Sequence, residues 1–269
     1  MWHLTDQDLD NMTLVEGGVM LNAFVDPSAP VASVMEELEA MAEELESSLA
    51  AEPDERLRFD GLLRIFYRQW HFRGDAEQFF SSENAFINKV LEQRKGIPIT
   101  LGAILMYFAD RLSLPISPVA FPTQLVLRAD WSDGEVAFYN PFDGERVSTR
   151  TLEGWIIGQS GPLARLEQSN LLPTDNATLV GRWLSVIKSA LLREEEYNLA
   201  LRCSEMALTF DPDNPYEIRD RGYIYQQLDC DWVAASDYEY FIEQCPDDPA
   251  SELLKLQVRA LTEAQPILH

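Results

Sequence analysis

The chain reads as an α+β domain followed by an all-α region. Three observations carry that reading: a stretch from Ile99 to Leu112 that is apolar nearly all round, three short β-rich runs directly after it, and a 34-residue repeat late in the chain. A helix with no polar face belongs in an interior, and short β-rich runs behind it point to a small antiparallel sheet. The expected architecture is a helical N-terminal layer and a buried central helix packed on that sheet, with a helical array after it.

Residues 31–50 fit an amphipathic helix, because Val31, Val34, Leu38, Met41, Leu45 and Leu49 recur every three or four positions with glutamates between them. The DPSAP stretch before it supplies the turn. A second helix is expected from about Asp54 to Trp70, with Phe59, Leu62, Leu63, Phe66 and Trp70 on its apolar face, and Gly74 ends that pattern. Ser82 is placed to cap a third helix that turns Phe86, Val90 and Leu91 inward and breaks at Gly96. Pro98 suits the first turn of the central helix, where a missing backbone N–H costs nothing. The runs ISPVAF, QLVLRA and EVAFYN follow as strands, and Asp133-Gly134 within WSDG predicts the hairpin turn between the last two. From Ser160 to Ala177, Gly, Pro, Ser, Asn and Asp recur, which reads as a linker.

Beyond it the pattern is helical and repeated. Ala200 matches Ala234, Pro212 matches Pro246, and each pair lies 34 positions apart. Gly222 and Tyr225 precede Ala234 at the spacing of the Gly and Tyr positions of a tetratricopeptide repeat. Two repeats, roughly 180–214 and 215–248, and a closing helix from about 250 to 264 are expected. Such arrays bind peptides or protein segments, or serve as a rigid extension of a neighbouring domain.

The bulk numbers exclude several function classes. Of 269 residues, 46% are hydrophobic, an ordinary share for a soluble globular protein. No apolar run reaches the roughly 18 residues a transmembrane helix needs, and the N-terminus lacks the basic start and apolar stretch of a signal peptide. Cys203, Cys230 and Cys245 are an odd set without framework spacing. They read as reduced thiols in a cytoplasmic protein, with Cys203 and Cys245 as helix-packing groups. The net charge of -24 argues against nucleic acid and against an anionic membrane as partner. That charge is uneven: no Lys or Arg occurs from Met1 to Glu55, whereas Arg56, Arg58, Arg64, Arg68 and Arg73 cluster next. Two readings of the acidic stretch stay open, a solvated face with charge pairing between neighbouring helices, or a docking surface for a basic protein partner. His3, His71 and His269 are far apart, no CxxC occurs, and no Gly-rich phosphate loop appears, so neither metal nor cofactor is expected.

The segments RKGIPITL, FPTQLVLR and NPFDGE, in that order and followed by the repeats, are similar to those of the SirB family of bacterial proteins. EGGVMLNAFVDP, FFSSENAFINKVL and DNPYEIRDRGYIYQQLD fit the same resemblance, which spans nearly the whole chain. It implies a transglutaminase-like or papain-like core over 1–160, a linker over 161–179 and tetratricopeptide repeats over 180–269. The historical label of that family, regulation of invasion genes, describes a phenotype rather than a mechanism.

A catalytic site of this fold uses a Cys at the start of the buried helix, a His from the next strand and an Asp or Asn on the following strand. The resemblance puts Thr100 near the first position, Gln124 at the second, where the wider family reads FPGHFLVR, and Asn140 at the third, where DPF is typical. No Cys precedes position 203. Glutamine cannot take up a proton near pH 7, and an amide facing an amide avoids an unpaired buried charge. No catalytic residue is therefore assigned. Gln124 and Asn140 are read either as contacts of a pocket or as a hydrogen-bonded pair between strands. The expected function is a non-catalytic transglutaminase-like and tetratricopeptide-repeat protein that acts through protein–protein interaction in a regulatory role. Two alternatives are a hydrolase or amide-transfer enzyme with a non-standard nucleophile (Thr100, Ser81 or Ser82) and a transcriptional regulator, which the acidic charge disfavours.

Overall fold

The computed structural model describes residues 6–263. His3 and His269 lie outside the described residues. The chain divides into two compact units, one up to Trp183 and one from Leu184.

The first unit opens with α1 (Asp6–Asp10) and α2 (Leu14–Val25). Thr13 caps α2 reciprocally with Glu16: its hydroxyl oxygen accepts from Glu16 N at 3.3 Å, and Glu16 Oε2 accepts from Thr13 N at 2.7 Å. Gly17 and Gly18 would ordinarily weaken a helix. Here they allow close packing, because a Cβ on Gly18 would lie 2.2 Å from the Trp183 ring and one on Gly17 would lie 3.1 Å from Val180. Helix α3 (Val31–Leu49) buries Val34, Leu38, Met41, Leu45 and Leu49 along the expected stripe, while Val31 stays on the surface. Part of its acidic face is paired: Glu37 accepts from Arg94, and Glu39 and Glu46 both accept from Arg111.

Helix α4 (Glu55–Arg64) is capped by Asp54. The helix expected to run to Trp70 instead changes to a π turn over Ile65–Gln69, closed by Trp70 N donating to Ile65 O at 2.8 Å. Phe59, Leu62 and Phe66 are buried, and Leu63 and Trp70 only half so. Arg56 does not pair with a neighbouring helix; it reaches Asp133 and Glu135 at 2.6 Å each.

Strand β1 (Arg73–Gly74) pairs in parallel with β2 (Lys95–Gly96). Between them lie a 3-10 turn (Ser82–Ala85) and α5 (Ile87–Gln93). Ser82 opens the 3-10 turn and does not cap an α-helix; α5 starts five residues later, with Phe86 at its cap position. Nor does Gly96 break that helix. Arg94 ends it in the left-handed conformation, φ 57°.

Helix α6 (Pro98–Arg111) is the centre of the unit, and every residue from Pro98 to Ala109 is buried. It packs against α2, α3, α4 and α5 on one side and against β3 (Ile116–Ala120) and β4 (Leu125–Asp130) on the other. With β5 (Val136–Tyr139) and β6 (Arg146–Val147) these strands form an antiparallel sheet in sequence order. The expected hairpin turn is present: Gly134 has φ 87°, and Trp131 N donates to Glu135 O.

Leu125, Val126 and Leu127 are all buried because both faces of β4 are covered. The face opposite α6 carries Val119, Phe121, Val126, Phe138 and Val147, closed by Leu152 and Ile156 of α7 (Thr149–Ser160). Ala164, Leu166 and Leu171 pack on the same cluster, and Thr174 N donates to Pro118 O. The stretch expected to be a linker therefore forms part of the cover of the sheet, and α8 (Asn176–Arg193) begins within it.

In the second unit the later half of α8 is followed by α9 (Tyr197–Phe210), α10 (Pro215–Gln227), α11 (Asp231–Gln244) and α12 (Pro249–Glu263). Ala200 and Ala234 are fully buried, and a Cβ on Gly222 would approach Tyr238 and Asp237 to 3.0 Å. Small residues at these positions let paired helices meet. Pro212 and Pro246 each stand two residues beyond the end of a helix, and Tyr225 lies half-buried under the guanidinium of Arg221 at 6.0 Å. The buried Lys188 ammonium donates to Glu217 and Asp220. Burial alone would lower its pKa, but the two carboxylates outweigh that and hold it above the ordinary lysine value.

Three substitutions test this packing. Gly18→Ala should lower the urea midpoint, with a net loss of about 2 kcal/mol, since the clash with Trp183 exceeds the helix-propensity gain. Gly154→Ala in α7, where no atom lies within 4 Å of the added Cβ, should instead raise stability by roughly 0.5–1 kcal/mol. In the second unit, Lys188→Met should cost about 2–3 kcal/mol, because it leaves two carboxylates facing each other. The raised lysine pKa gives stability that is complete below about pH 10.4 and fades as pH rises through the folded-state value. The variant should therefore show a shallower alkaline loss than the parent in denaturation curves taken across that range.

Candidate functional site

The N-terminus of α6 is where the fold concentrates polar groups inside an apolar interior. A helix start leaves backbone N–H groups without intrahelical partners. Thr100 supplies an acceptor, its Oγ1 taking the Ile97 N–H at 3.1 Å. The same hydroxyl has Asn84 O at 2.9 Å and Ile97 O at 3.0 Å to receive its single proton. Thr100 is fully buried, and Gly96 must lack a side chain because a Cβ there would lie 2.8 Å from Thr100 Oγ1. No imidazole or carboxylate is among its hydrogen-bond partners.

Asn84 extends this network. It is 1% exposed, and its Nδ2 donates to Gln78 O at 2.7 Å and reaches Asp75 Oδ2 at 3.5 Å. Asp75, also buried, accepts from Glu77 N and Gln78 N. The loop from Asp75 to Ser81 is thereby tied to the start of α6.

Gln124 and Asn140 are brought together. Gln124 immediately precedes β4 and Asn140 immediately follows β5. Gln124 Nε2 donates to Asn140 Oδ1 at 3.0 Å. Asn140 Oδ1 also accepts from Phe142 N at 3.1 Å, so the backbone turn fixes this oxygen as an acceptor and Gln124 must present its NH2. Both groups are neutral at any pH the fold survives. Thr100, by contrast, hydrogen-bonds with Asn84 and Ile97 and with neither amide.

The loop after Asn140 is held from several sides. Asn140 O accepts from Gly144 N at 2.8 Å, and Gly144 has φ 77°. Its left-handed backbone and lack of a side chain both serve here, since a Cβ would lie 2.5 Å from the Tyr67 ring. The Tyr67 hydroxyl donates to Pro141 O at 2.5 Å, and burial, with the charge of Asp143, holds its pKa well above the usual phenol range. Phe142 lies over Gly74, where a Cβ would sit 2.4 Å from the ring, and Gly74 N donates to Phe142 O. The segment before Gln124 is held by Arg182, which donates to Phe121 O at 2.8 Å and to Pro122 O at 3.1 Å. Burial lowers the pKa of that guanidinium.

The remaining groups considered from the sequence lie apart from this arrangement. His71 is exposed in a left-handed turn, φ 60°. Cys203 is fully buried in the repeat unit, where burial pushes its thiol up to about 12. Cys230 is exposed and Cys245 half-buried. Among the described residues no group of three or more His, Cys, Asp or Glu could hold a metal ion, and no helix is long and apolar enough to cross a membrane. Asp75, Asn84, Tyr67 and Arg182 were not singled out in the sequence. The one local signal was Asp75 standing three residues before Gln78, an Asx-turn spacing at the start of a loop.

Residues 32–185 match the family described as the transglutaminase-like superfamily, and residues 187–259 match the tetratricopeptide repeat. A UPF0162 protein of Vibrio cholerae is 52% identical over the full length of both chains. Protein SirB1 of Salmonella typhimurium is 41% identical and the UPF0162 protein YchA of Escherichia coli 38% identical, each also over the whole of both chains. No solved structure matches the chain. Taken with a buried helix on an antiparallel sheet and the helical pairs that follow, these likenesses show that the chain belongs to the transglutaminase-like superfamily, as a SirB-type protein in which that domain precedes tetratricopeptide repeats.

Proposed function

We propose that this chain is a non-catalytic member of its superfamily that works through protein–protein interaction, in a regulatory role. The observation that supports the reading most is the bonding of Thr100: its oxygen is buried, its proton is directed to backbone carbonyls, and no imidazole or carboxylate is among its hydrogen-bond partners. In this reading Thr100, Gln124 and Asn140 stand at the positions of a lost nucleophile, base and orienting group. The Gln124–Asn140 pair can offer hydrogen bonds but cannot move a proton. The repeats add a surface of the kind that holds peptides, and the acidic charge favours a basic partner over nucleic acid. A cytoplasmic setting, with reduced Cys203, Cys230 and Cys245, belongs to the same proposal. So does the division into a transglutaminase-like part over 1–160, a connection over 161–179 and a repeat part over 180–269.

Purified full-length chain assayed on peptide, amide and ester substrates is expected to show no turnover. Turnover that disappears in a folded Thr100→Ala variant would overturn the reading. The same variant should lose about 1–2 kcal/mol of stability, because the helix start loses its acceptor and Asn84 O its donor, whereas Thr100→Ser should retain most of it. Crosslinking in native cells followed by mass spectrometry should return a protein bound to the chain.

A further inference from the structure

Phe79 and Phe80 stand together on the surface, 37% and 61% exposed. Their rings meet edge to face at 5.2 Å, and Phe79 continues onto Phe142 at 6.1 Å. Single exposed apolar residues are ordinary on a protein surface, but a contiguous set of large aromatics is not. Covering a phenylalanine is worth about 1.5–3 kcal/mol, so leaving this set open calls for a reason.

Fraying is not the reason. The loop that carries Phe79 and Phe80 is bonded from beneath by buried groups: Asp75 receives two of its backbone N–H groups, and Asn84 binds Gln78 O. Asn84 is in turn bonded by Thr100 at the start of α6. Phe142 is seated on Gly74. Three aromatic rings are thus presented on a preorganised frame, which lowers the ordering cost of binding. Phe142 adjoins the Gln124–Asn140 amide pair, since Phe142 and Asn140 share one turn through the Phe142 N–H.

The charge around the rings has a sign. Glu77, Glu83 and Asp143 are exposed; Glu83 accepts from Gln93 and Asp143 from Glu145 N, and both keep their charge at the surface. Of the cations nearby, Lys89 and Arg94 are paired with Glu92 and Glu37, while Arg73, next to the Gly74 seat of Phe142, lies beside Lys95 across β1 and β2.

We infer that Phe79, Phe80 and Phe142 form a docking surface for a protein segment with an aromatic or aliphatic anchor flanked by Lys or Arg. The inference rests on the interaction reading above and adds to it a place on the first unit and a chemistry for the partner. The rings supply the apolar seat, and the three carboxylates meet the flanking cations. On this account the hydroxyl at the nucleophile's place holds the frame of a binding surface.

The test is fluorescence anisotropy of the full-length chain with two labelled peptides, one bearing a central Leu-Trp pair flanked by lysines and one with glutamates in place of the lysines. The lysine peptide should bind, more weakly at high salt, and the glutamate peptide should not. The F79S/F80S double variant, at the surface and expected to keep its fold by circular dichroism, should lose at least about tenfold in affinity. Equal binding of both peptides, no binding of either, or binding unaffected by the double variant would overturn the inference. The same variant used for crosslinking in native cells separates the two proposals. A partner retained at the parent level removes this surface and leaves the interaction reading standing, whereas no partner with either chain removes the interaction reading itself.

Discussion

A helix buried on every side constrains everything around it. Helix α6 has no polar face to offer water, so the chain must supply apolar cover from two directions, helices on one side and a sheet on the other. Its backbone end must also be satisfied inside that cover, because an unpaired buried N–H costs about 1–3 kcal/mol. Thr100 meets this demand. Gly102 meets the steric part, since a Cβ there would lie 2.3 Å from Leu125 and 3.2 Å from Pro141, the residues next to Gln124 and Asn140. Helix and sheet approach so closely that the two amide-bearing segments are pinned by the central helix itself.

That pinning explains why the site keeps its shape without charge. Gln124 and Asn140 make one hydrogen bond, and the turn through Phe142 N, Tyr67 and Gly144 holds the rest. The frame is held by backbone and packing contacts rather than by charge on either amide residue. A neutral pair also carries no desolvation penalty of the kind an isolated buried charge would bring.

Much of this was legible in the residues. The stripe of α3, the all-apolar α6, the Asp133-Gly134 hairpin and the 34-residue repeat are strong local patterns, and local patterns survive folding when nothing distant contradicts them. Where distant contacts decided the outcome, the sequence was silent. Helix α2 hides behind Gly17 and Gly18, which make sense only once Trp183 lies against them. The Gly- and Pro-rich stretch after Ser160 has loop composition, yet Leu166 and Leu171 are spent on the sheet. Gln124 and Asn140 could be paired in advance because both flank strands of one hairpin. Asp75 and Asn84 could not, because their role depends on the start of α6 and not on any spacing between them.

The π turn that ends the helix begun at Glu55 acts as a change of phase. One additional residue in a helical ladder rotates all that follows by about 100° relative to an unbroken helix. Ahead of it, Phe59 packs on Trp131 and Tyr139 of the hairpin at 5.8 Å and 4.9 Å. Within it, Tyr67 turns to the Pro141 carbonyl and covers Gly144. One continuous rod therefore serves two elements that an uninterrupted helix would have to address from a single azimuth. Removing the extra residue would swing Tyr67 off the loop while leaving the hairpin contact in place.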